Sequence, residues 1–390
     1  MSEEKLVPKL RFSGFNDEWK EVKLNEISTI NPKTKSLPEN FIYIDLDSVE
    51  KGILTKINKI NIKDAPSRAQ RLLDVGDILF QTVRPYQMNN LYFNYNNEKY
   101  VASTGYAQIK SKINSKFLYY HLHHDQFVNE VLRRCTGTSY PAINSNDLKK
   151  IKIRIPVDSN EQQFIGNIFV KIDEKIELLQ KKHNHYLNFK KHLMQQIFAQ
   201  KLRFAEFDDE WMPYKIGDIS KTYSGGTPST SKKEYYEGNI PFIKSGEINN
   251  EVTEQYITED AINNSSAKRV QKGDLLLALY GATSGEVAIS KINGAINQAV
   301  LKIDNNMDNY FQYCYFSMYK DQIVHKYIQG GQGNLSANII KKLVFKYPSL
   351  AEQKKISQFF MSFDNKLKLY ENKIIKYNNF KKGLLQQMFI

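Results

Sequence analysis

The residue groups that could perform catalysis are all incomplete in this sequence. Residues 183–185 spell HNH, but helical neighbours one and two positions apart do not face each other, which disfavours a nuclease centre. Residues 121–124 spell HLHH without an acidic or thiol partner at metal-ligand spacing. Residues 31–34 (NPKT) lack the second proline and the aromatic ring with which an amino-methyltransferase grips an extruded base, and residues 330–333 (GGQG) lack the Gly-Lys-Ser/Thr of a phosphate-binding loop. The sequence therefore predicts neither a catalytic centre nor a metal site.

Side chains that could bind a ligand, rather than transform it, are abundant. The chain carries 55 Lys and Arg against 42 Asp and Glu, a formal net charge of +13. This excess favours a polyanionic partner such as nucleic acid, although it also increases solubility. Cys135 and Cys314 have no Cys or His neighbour at metal spacing and are expected to be buried or idle thiols. The first residues show no apolar signal region and the apolar runs are too short to span a bilayer, so we expect a soluble, cytoplasmic protein.

The elements that must position these side chains are duplicated. PKLRFSGFNDEW, residues 8–19, returns as QKLRFAEFDDEW, residues 200–211, and FKKHLMQQIF, residues 189–198, returns as FKKGLLQQMF, residues 380–389. Two units of about 190 residues are far longer than solenoid repeats, so each is expected to be a domain plus a connector. We assign domains to residues 1–158 and 201–349, and spacer helices to residues 159–200 and 350–390.

Both connectors carry apolar residues at alternating steps of four and three, as in a coiled-coil seam. The predicted seam positions are Ile165, Phe169, Ile172, Ile176, Leu179, Ile356, Phe360, Phe363, Leu367, Tyr370 and Ile374. Chain order predicts that the two helices pair antiparallel, with a domain at each end of the rod.

The predicted register places His183 near Tyr370, and Lys190 and Lys381 opposite Phe363 and Ile172. For the two lysines we favour stems lying on the seam with ammonium groups in water, over a binding role.

The globular units are predicted to be α+β. A Gly-Asp turn opens a buried strand in each copy, at residues 75–80 and 272–277, and an aromatic-rich helix follows at residues 116–134 and 309–327. Between these landmarks the loops of the two copies differ. Because base edges are distinguished by hydrogen-bonding side chains while Lys and Arg hold phosphates, such a chain would bind an asymmetric DNA sequence with two different heads.

The sequence resembles the specificity subunits of Type I restriction-modification systems. The resemblance rests on the duplicated KLRF and DEW segment, on SGGTPSTSKKEYY (224–236), on the paired Gly-Asp strands, and on IPVDSNEQQFI (155–165) and NLSANIIKKLVFKYPSLAEQKKI (334–356) before the long helices. It implies two target-recognition domains separated by an antiparallel coiled coil, each domain reading half of a bipartite, gapped DNA site. The first domain departs from the pattern, because INPKTKSLPENFIYIDLD stands where GGTP is usual.

The resemblance also implies partners and cofactors. Two methyltransferase subunits would bind S-adenosylmethionine and methylate adenine N6, and restriction subunits would cleave DNA with ATP and Mg²⁺. No cofactor is expected on this chain. Two alternatives stay open on the residues alone: a stand-alone DNA-bridging or regulatory protein, and an RNA-binding scaffold.

Family position and side-chain chemistry together select the candidate DNA contacts. In the first domain they are Arg84, Tyr86, Gln87, Ser103, Thr104, Tyr106, Arg133, Ser139 and Tyr140. In the second they are Thr227, Ser229, Lys232, Lys233, Tyr280, Thr283, Ser284, Gln332 and Asn334. Arg84 and Gln87 could each make a bidentate contact, to guanine and adenine respectively, worth about 1–3 kcal/mol of discrimination. The alternative for each residue is an ordinary solvated loop.

Overall fold

The computed structural model describes residues 6–327 and 334–390. Its contacts divide the chain into two compact units: unit 1 runs to Lys181 and includes Glu371–Ile390, and unit 2 is Lys182–Tyr370. No helix in the described ranges is long and apolar enough to cross a membrane.

Unit 1 begins with short strands and ends in a long helix. Its elements are β1 (Lys20–Lys23), α1 (Leu24–Ile27), β2 (Ser28–Ile30), β3 (Asn40–Ile44), β4 (Val49–Glu50), β5 (Ile53–Leu54), β6 (Asn58–Asn61), β7 (Ala69–Leu72), β8 (Ile78–Gln81), β9 (Leu91–Tyr92), β10 (Tyr100–Ser103), β11 (Tyr106–Ser111), α2 (Ser115–His121), α3 (Asp125–Arg133), α4 (Ser145–Lys150), β12 (Lys152–Ile155) and the first part of α5 (Ser159–Phe198).

Within its described residues, unit 2 has a similar order, without counterparts of β4 and β5, with an additional short helix and with one helix in place of α2 and α3. After the second part of α5 come β13 (Met212–Lys215), α6 (Ile216–Ile219), β14 (Ser220–Ser224), β15 (Ile240–Ile243), β16 (Tyr256–Ile257), α7 (Glu259–Asn263), β17 (Lys268–Val270), β18 (Leu275–Ala278), β19 (Val287–Ile289), β20 (Gly294–Ile296), β21 (Val300–Asn305), α8 (Asn309–Tyr327), α9 (Ala337–Lys342), β22 (Val344–Tyr347) and α10 (Leu350–Met388). The end of α10 belongs to unit 1.

The two four-stranded sheets have the same strand order in both units, and unit 1 has an additional hairpin, β4-β5. Unit 1 contains sheets β2-β11-β8-β9 and β6-β3-β10-β7, and unit 2 contains β14-β21-β18-β19 and β16-β15-β20-β17. Each unit adds a two-stranded ladder, β1-β12 and β13-β22. Among the described strands only β3–β10 and β15–β20 pair parallel, so the mixed sheets with helices confirm the α+β class.

One predicted helix is wrong. Residues 116–134 form α2 and α3, separated at Leu122–His124, and His124 has extended backbone angles. His123 Nδ1 lies 2.8 Å from the Tyr119 carbonyl oxygen, so a side chain takes an acceptor that a continuous helix would use. The matching prediction at 309–327 is confirmed by α8.

The duplicated opening segment is a clamp on the first turn of each long helix. Arg11 donates from Nε and Nη2 to the two carboxylate oxygens of Glu161, both at 2.7 Å, and Trp19 Nε1 donates to the same carboxylate at 3.4 Å. In unit 2, Arg203 donates to Glu352 at 2.9 and 2.8 Å and Trp211 at 3.3 Å. Both glutamates are only 1% exposed. A buried carboxylate requires such paired, charge-assisted hydrogen bonds, which explains why these residue types recur in both copies.

Within each unit, segments of α5 and α10 pack antiparallel. In unit 1, Lys381 Nζ contacts the Asp173 carboxylate oxygens at 2.6 and 2.8 Å, and in unit 2 Lys190 pairs with Asp364. Each aspartate lies one residue from the position predicted to face its lysine. Eight of the predicted seam residues are buried, and Phe363, Tyr370 and Ile374 are half-buried.

The expectation that both lysines reach into water is wrong for Lys190, which is 8% exposed. Lys190 also contacts the Tyr310 hydroxyl, and Tyr310 donates to the same Asp364. In unit 1, Tyr120 donates to Asp173 at 2.7 Å. An aspartate on each long helix therefore joins the helix pair to the aromatic helix of the domain.

Candidate nucleic-acid interface

The most complete group of candidates in unit 1 lies on two loops that meet after β8. Arg84 precedes a 3-10 turn, Pro85–Gln87, and its backbone is left-handed with φ of 52°. Its amide donates to the Pro141 carbonyl at 2.7 Å, and its guanidinium carbon lies 4.3 Å from the ring centroid of Tyr140. A left-handed arginine is strained, so the surrounding loop must hold it in place. The structure thus brings Arg84 and Tyr140 together.

The neighbouring side chains present polar and aromatic surface. Tyr86 and Tyr140 are 51% and 63% exposed, and Gln87 is also exposed. Gln87 Oε1 accepts from Gln81 Nε2 at 2.8 Å, and the buried Gln81 also accepts from the Asn89 amide at 3.0 Å. Gln81 is thus a positioning residue that the sequence reasoning missed. The only available signal was a polar residue ending an otherwise apolar strand.

The turn between β10 and β11 corrects two candidates. Ser103 and Tyr106 are buried, and Ser103 Oγ accepts from the Gly105 amide at 3.2 Å, so neither side chain can reach DNA from this conformation. Burial also raises the pKa of Tyr106. Ser103 ends β10, whose four residues are all buried, and Tyr106 begins β11, whose first four residues are all buried. Thr104 is half-buried at the same turn.

Arg133 and Ser139 lie on the segment that leads into the Tyr140 loop. Both are exposed, and the Arg133 guanidinium lies 3.5 Å from Glu130. A β-bridge between Thr136 and Ala142, and another between Ala142 and Val83, tie this segment to the residue before Arg84.

In unit 2 the turn after β18 uses its own hydroxyl groups. Ser284 Oγ donates to the Leu279 carbonyl at 2.8 Å, and the Thr283 carbonyl accepts from the Glu286 amide at 2.9 Å. Tyr280, Thr283 and Ser284 are half-buried. Leu335 N donates to the Leu279 carbonyl at 3.0 Å, which places the exposed Asn334 beside this turn. Gln332 lies outside the described residues.

The remaining candidates of unit 2 lie on the loop that follows β14. This loop runs close to β20: a Cβ on Gly225 would be 1.7 Å from the Ile296 carbonyl oxygen, so glycine is required there. Thr227 Oγ1 donates to Gln298 Oε1 at 2.6 Å, and the Ser229 and Ser231 hydroxyls lie 2.8 Å apart.

The two lysines of that loop have different surroundings. Lys232 Nζ donates to the Tyr235 hydroxyl at 2.9 Å, a bond that raises the pKa of Lys232. Lys233 and Thr227 line a groove of about 330 Å³ together with Lys244, Gln255 and Asn297.

The sequence reasoning missed Lys244, Gln255 and Asn297. Asn297 lies in the β20–β21 turn, whose unit 1 counterpart is the β10–β11 turn. Aligning these two turns could have found Asn297, whereas nothing in the sequence singles out Gln255.

Two histidines, His121 and His124, and the thiol of Cys314 are buried. No group of three or more His, Cys, Asp or Glu within residues 6–327 and 334–390 could hold a metal ion. Burial lowers the pKa of His121 to about 4, so this ring is neutral near neutral pH. Cys314 is buried, and burial raises its pKa to about 12.

Comparison with known proteins decides the family. The model of the Type I restriction modification DNA specificity domain matches residues 16–186 and again residues 208–377. The chain belongs to this family. Its two matches fall on the two copies found in the sequence.

Three similar curated proteins are specificity subunits of Type I restriction enzymes. The EcoR124I/EcoR124II subunit of Escherichia coli is 29% identical over 57% of this chain and 57% of its own length. The MjaIX subunit of Methanocaldococcus jannaschii is 32% identical over 45% of this chain and 43% of its own length. The HindI subunit of Haemophilus influenzae is 22% identical over 82% of this chain and 87% of its own length. The chain therefore aligns with about half the length of the first two relatives and with most of the third.

Solved structures show the same fold. The crystal structure of the Type I specificity subunit from M. genitalium matches with a TM-score of 0.65 at 16% identity, covering 98% of this chain and 99% of that one. A structure from a study of Type I complex assembly and conformational transition matches with a TM-score of 0.58 at 20% identity, covering 95% and 97%.

Proposed function

We propose that this family member is the DNA-recognition subunit of a Type I restriction-modification complex. Each unit would bind one half of a bipartite, gapped, asymmetric site. The observation that carries this proposal is one topology with two different loop chemistries: Arg84, Tyr86 and Tyr140 in unit 1, and the groove beside Thr227 and Lys233 in unit 2.

The chemistry of these loops suits base recognition. The Arg84 guanidinium has a planar fork of donors that matches the O6 and N7 acceptors of guanine. Its position over the Tyr140 ring limits the motion of that fork before DNA binds, which lowers the entropy lost on binding. In unit 2, amide and ammonium groups around a groove would bind acceptors on base edges or phosphates.

Exposed apolar side chains that recur on the two long helices favour a partner that binds in two copies. Leu178 and Leu369 occupy the same position in the repeat and are 45% and 44% exposed; Phe189 and Phe380 form a second such pair at 47% and 53%. These residues lie outside the predicted seam, so exposed apolar side chains recur there without a structural need. We propose that one methyltransferase subunit covers Leu178 and Phe380 and that a second covers Leu369 and Phe189.

The chemistry of the complex would belong to the partners. S-adenosylmethionine is proposed to bind the methyltransferase subunits, and ATP and Mg²⁺ the restriction subunits, in the cytoplasm. The chain described here would contribute no catalytic group.

The test is to co-express this chain with the methyltransferase encoded beside it, in a host that lacks DNA methylation. N6-methyladenine would then be mapped across the genome by single-molecule sequencing. We expect one gapped motif that disappears when this chain is omitted. Methylation that persists unchanged without the chain contradicts the proposal.

A further inference from the structure

Unit 1 contains a groove between α3 and the β1–β12 ladder. Its volume is about 460 Å³. One wall is the face of α3 that carries Gln126, Glu130 and Arg133, and the other is formed by Glu21 on β1 and Arg154 on β12. The groove thus runs along the whole length of α3.

The equivalent position of unit 2 is filled by aromatic rings. His121 of unit 1 lies 3.0 Å from the Arg154 carbonyl oxygen, and Tyr315 of unit 2 accepts from the amide of the matching residue, Lys346, at 3.3 Å. The Tyr315 ring stacks on Phe345 with centroids 4.3 Å apart. In unit 1 these two positions hold the smaller His121 and Ile153. The fold therefore does not require the groove; the side chains of unit 1 create it.

Basic groups outnumber acidic groups in the lining. The basic residues are Arg133, Arg134, Lys150, Lys152 and Arg154. The acidic residues of the lining, Glu21 and Glu130, are each shared by two of them: Lys152 and Arg154 lie 2.6 and 4.0 Å from Glu21, and Arg134 and Arg133 lie 2.6 and 3.5 Å from Glu130. One carboxylate between two cations leaves positive charge on both walls, which favours an anionic ligand.

A buried side chain in the lining lacks a partner. His124 is 5% exposed, and its Nδ1 atom has no hydrogen-bond partner among the described residues. Burial lowers the pKa of His124, so near neutral pH the ring is neutral and has one N–H to donate. Buried polar atoms are normally paired, and this unpaired one belongs to a residue that lines the groove.

The groove ends next to the candidate recognition loops. Arg133 is the last residue of α3, and the chain continues to Thr136, which bridges to Ala142 and through it to Val83, beside Arg84. A DNA strand whose bases meet Arg84 would therefore have phosphates close to the Arg133 end.

We propose that this groove binds the phosphodiester backbone of the DNA strand flanking the half-site that unit 1 reads. This inference rests on the proposed function. The contact carries no sequence information, and it is specific to unit 1 because the matching position of unit 2 is filled.

The test compares two double variants of the full chain in complex with its methyltransferase subunits. Lys150→Gln with Lys152→Gln removes two exposed charges of the groove. Each phosphate contact contributes about 0.9 to the slope of log K against log salt. We expect this slope to fall by about 1.8, with the same fold-loss of affinity for cognate and unrelated duplexes. The measurement is fluorescence anisotropy of labelled duplex from about 50 to 300 mM salt, the range in which phosphate contacts are strongly salt-dependent.

The matched control is Lys342→Gln with Lys346→Gln, which makes the same charge change on α9 and β22 of unit 2, where both side chains are exposed. We expect the slope of this control to match that of the wild type. Equal slopes for the two double variants would overturn the groove assignment while leaving sequence-specific binding intact. A wild-type complex without any sequence preference would overturn the proposed function together with the inference.

A second variant tests whether the buried His124 of the groove contributes to DNA binding. His124→Phe keeps an aromatic ring but removes both ring nitrogens and the single N–H that the neutral ring can donate. We expect DNA affinity to fall about three- to tenfold with no change in salt slope, because a neutral donor releases no counterion. Unchanged affinity in a folded variant, as judged by circular dichroism, would overturn the role of His124.

Discussion

At the scale of residues, Arg84 is the side chain proposed to make the main base contact of unit 1. Its position combines a left-handed backbone, a hydrogen bond to the Pro141 carbonyl and a ring contact with Tyr140. Because these restraints act together on a half-buried arginine, we propose that its direction matters more than its charge.

Arg84→Ala is expected to lower discrimination in one half-site by about 1–3 kcal/mol. Arg84→Lys is the matched control, because it keeps the charge but loses the planar donor fork, so it should retain non-specific binding and lose discrimination. The measurement is competition binding with duplexes altered in one half-site at a time. Equal loss in both halves would contradict separate recognition by the two units.

The Arg11 clamp is a structural feature. Arg11→Ala leaves the carboxylate of Glu161 buried without its partner and should lower the free energy of unfolding by about 3–5 kcal/mol. Lys9→Ala, two residues away and exposed, should change it by less than about 0.5 kcal/mol. Urea denaturation followed by tryptophan fluorescence measures both. Similar midpoints for the two variants would show that the clamp does not stabilise unit 1.

The burial of His121 predicts that the free energy of unfolding depends on pH. Its pKa is about 4 in the fold because burial disfavours the charged ring, against an ordinary value of 6.5. The unfolded chain therefore binds more protons between these values, and stability falls as pH falls through that window. We expect a loss of about 2 kcal/mol between pH 7 and pH 5 from this residue.

His121→Tyr, which copies Tyr315 of unit 2, should remove that part of the dependence. Urea unfolding at pH 7 and pH 5 is the measurement. An identical pH response in wild type and variant would show that His121 does not titrate as its burial requires.

At the scale of elements, the long helices are joined to their domains by an aspartate shared between a lysine and a tyrosine. The two tyrosines, Tyr120 and Tyr310, are not at matching positions. Phe117 and Phe311 match, since each contacts the tryptophan of the clamp in its own unit. Tyr310 lies one residue before Phe311, whereas Tyr120 lies three residues after Phe117. The same network is thus built twice from different helix positions.

The shared aspartate gives an asymmetric prediction. Lys190 is buried, whereas the Asp364 side chain is 40% exposed. Asp364→Ala leaves a buried cation unpaired and should cost about 2 kcal/mol, while Lys190→Met leaves a hydrated carboxylate and should cost less than about 1 kcal/mol. Thermal unfolding of the two single variants and of the double variant measures the loss of stability in each and completes a double-mutant cycle. Equal costs for the two single variants would contradict the buried-cation account.

Some helices and strands could be predicted from the sequence and others could not. The seam of the long helices was predictable because its spacing repeats over many turns, and α8 was predictable as one helix. The break between α2 and α3 was not, because it depends on the bond from His123 to the Tyr119 carbonyl. The strand β15 was not recognised as the counterpart of β3, because the loops leading to the two strands share no sequence.

At the scale of the whole molecule, duplication predicts duplicate partners. Phe380→Lys should remove one methyltransferase subunit from the complex, and Phe189→Lys should remove the other. Each variant places a charge beside one of the two exposed leucines, Leu178 or Leu369, in an apolar patch that the proposed subunit would cover. Both phenylalanine side chains are exposed, so folding should be unaffected. Native mass spectrometry of the purified complexes measures the number of subunits. Loss of both subunits from either single variant would show that the two patches are not independent sites.

The sequence by itself determined the duplication, the α+β class, the antiparallel seam and the family. These follow from local periodicity and from residue types that recur at a fixed spacing, and both are visible without knowledge of the fold. The recurrence of the KLRF and DEW segment was visible in the same way, but its role as a clamp on Glu161 and Glu352 was not, because it depends on long-range contacts.

Only the tertiary structure decided which loop residues meet. Arg84 and Tyr140 are distant in the chain and are joined by backbone bridges. Ser103 and Tyr106 were equally attractive candidates in the sequence, but they lie in strand segments that are buried on both faces. The groove of unit 1 likewise depends on His121 and Ile153 facing each other where unit 2 has stacked rings. Side-chain burial and long-range contact are properties of the packed chain, so no local pattern could reveal them.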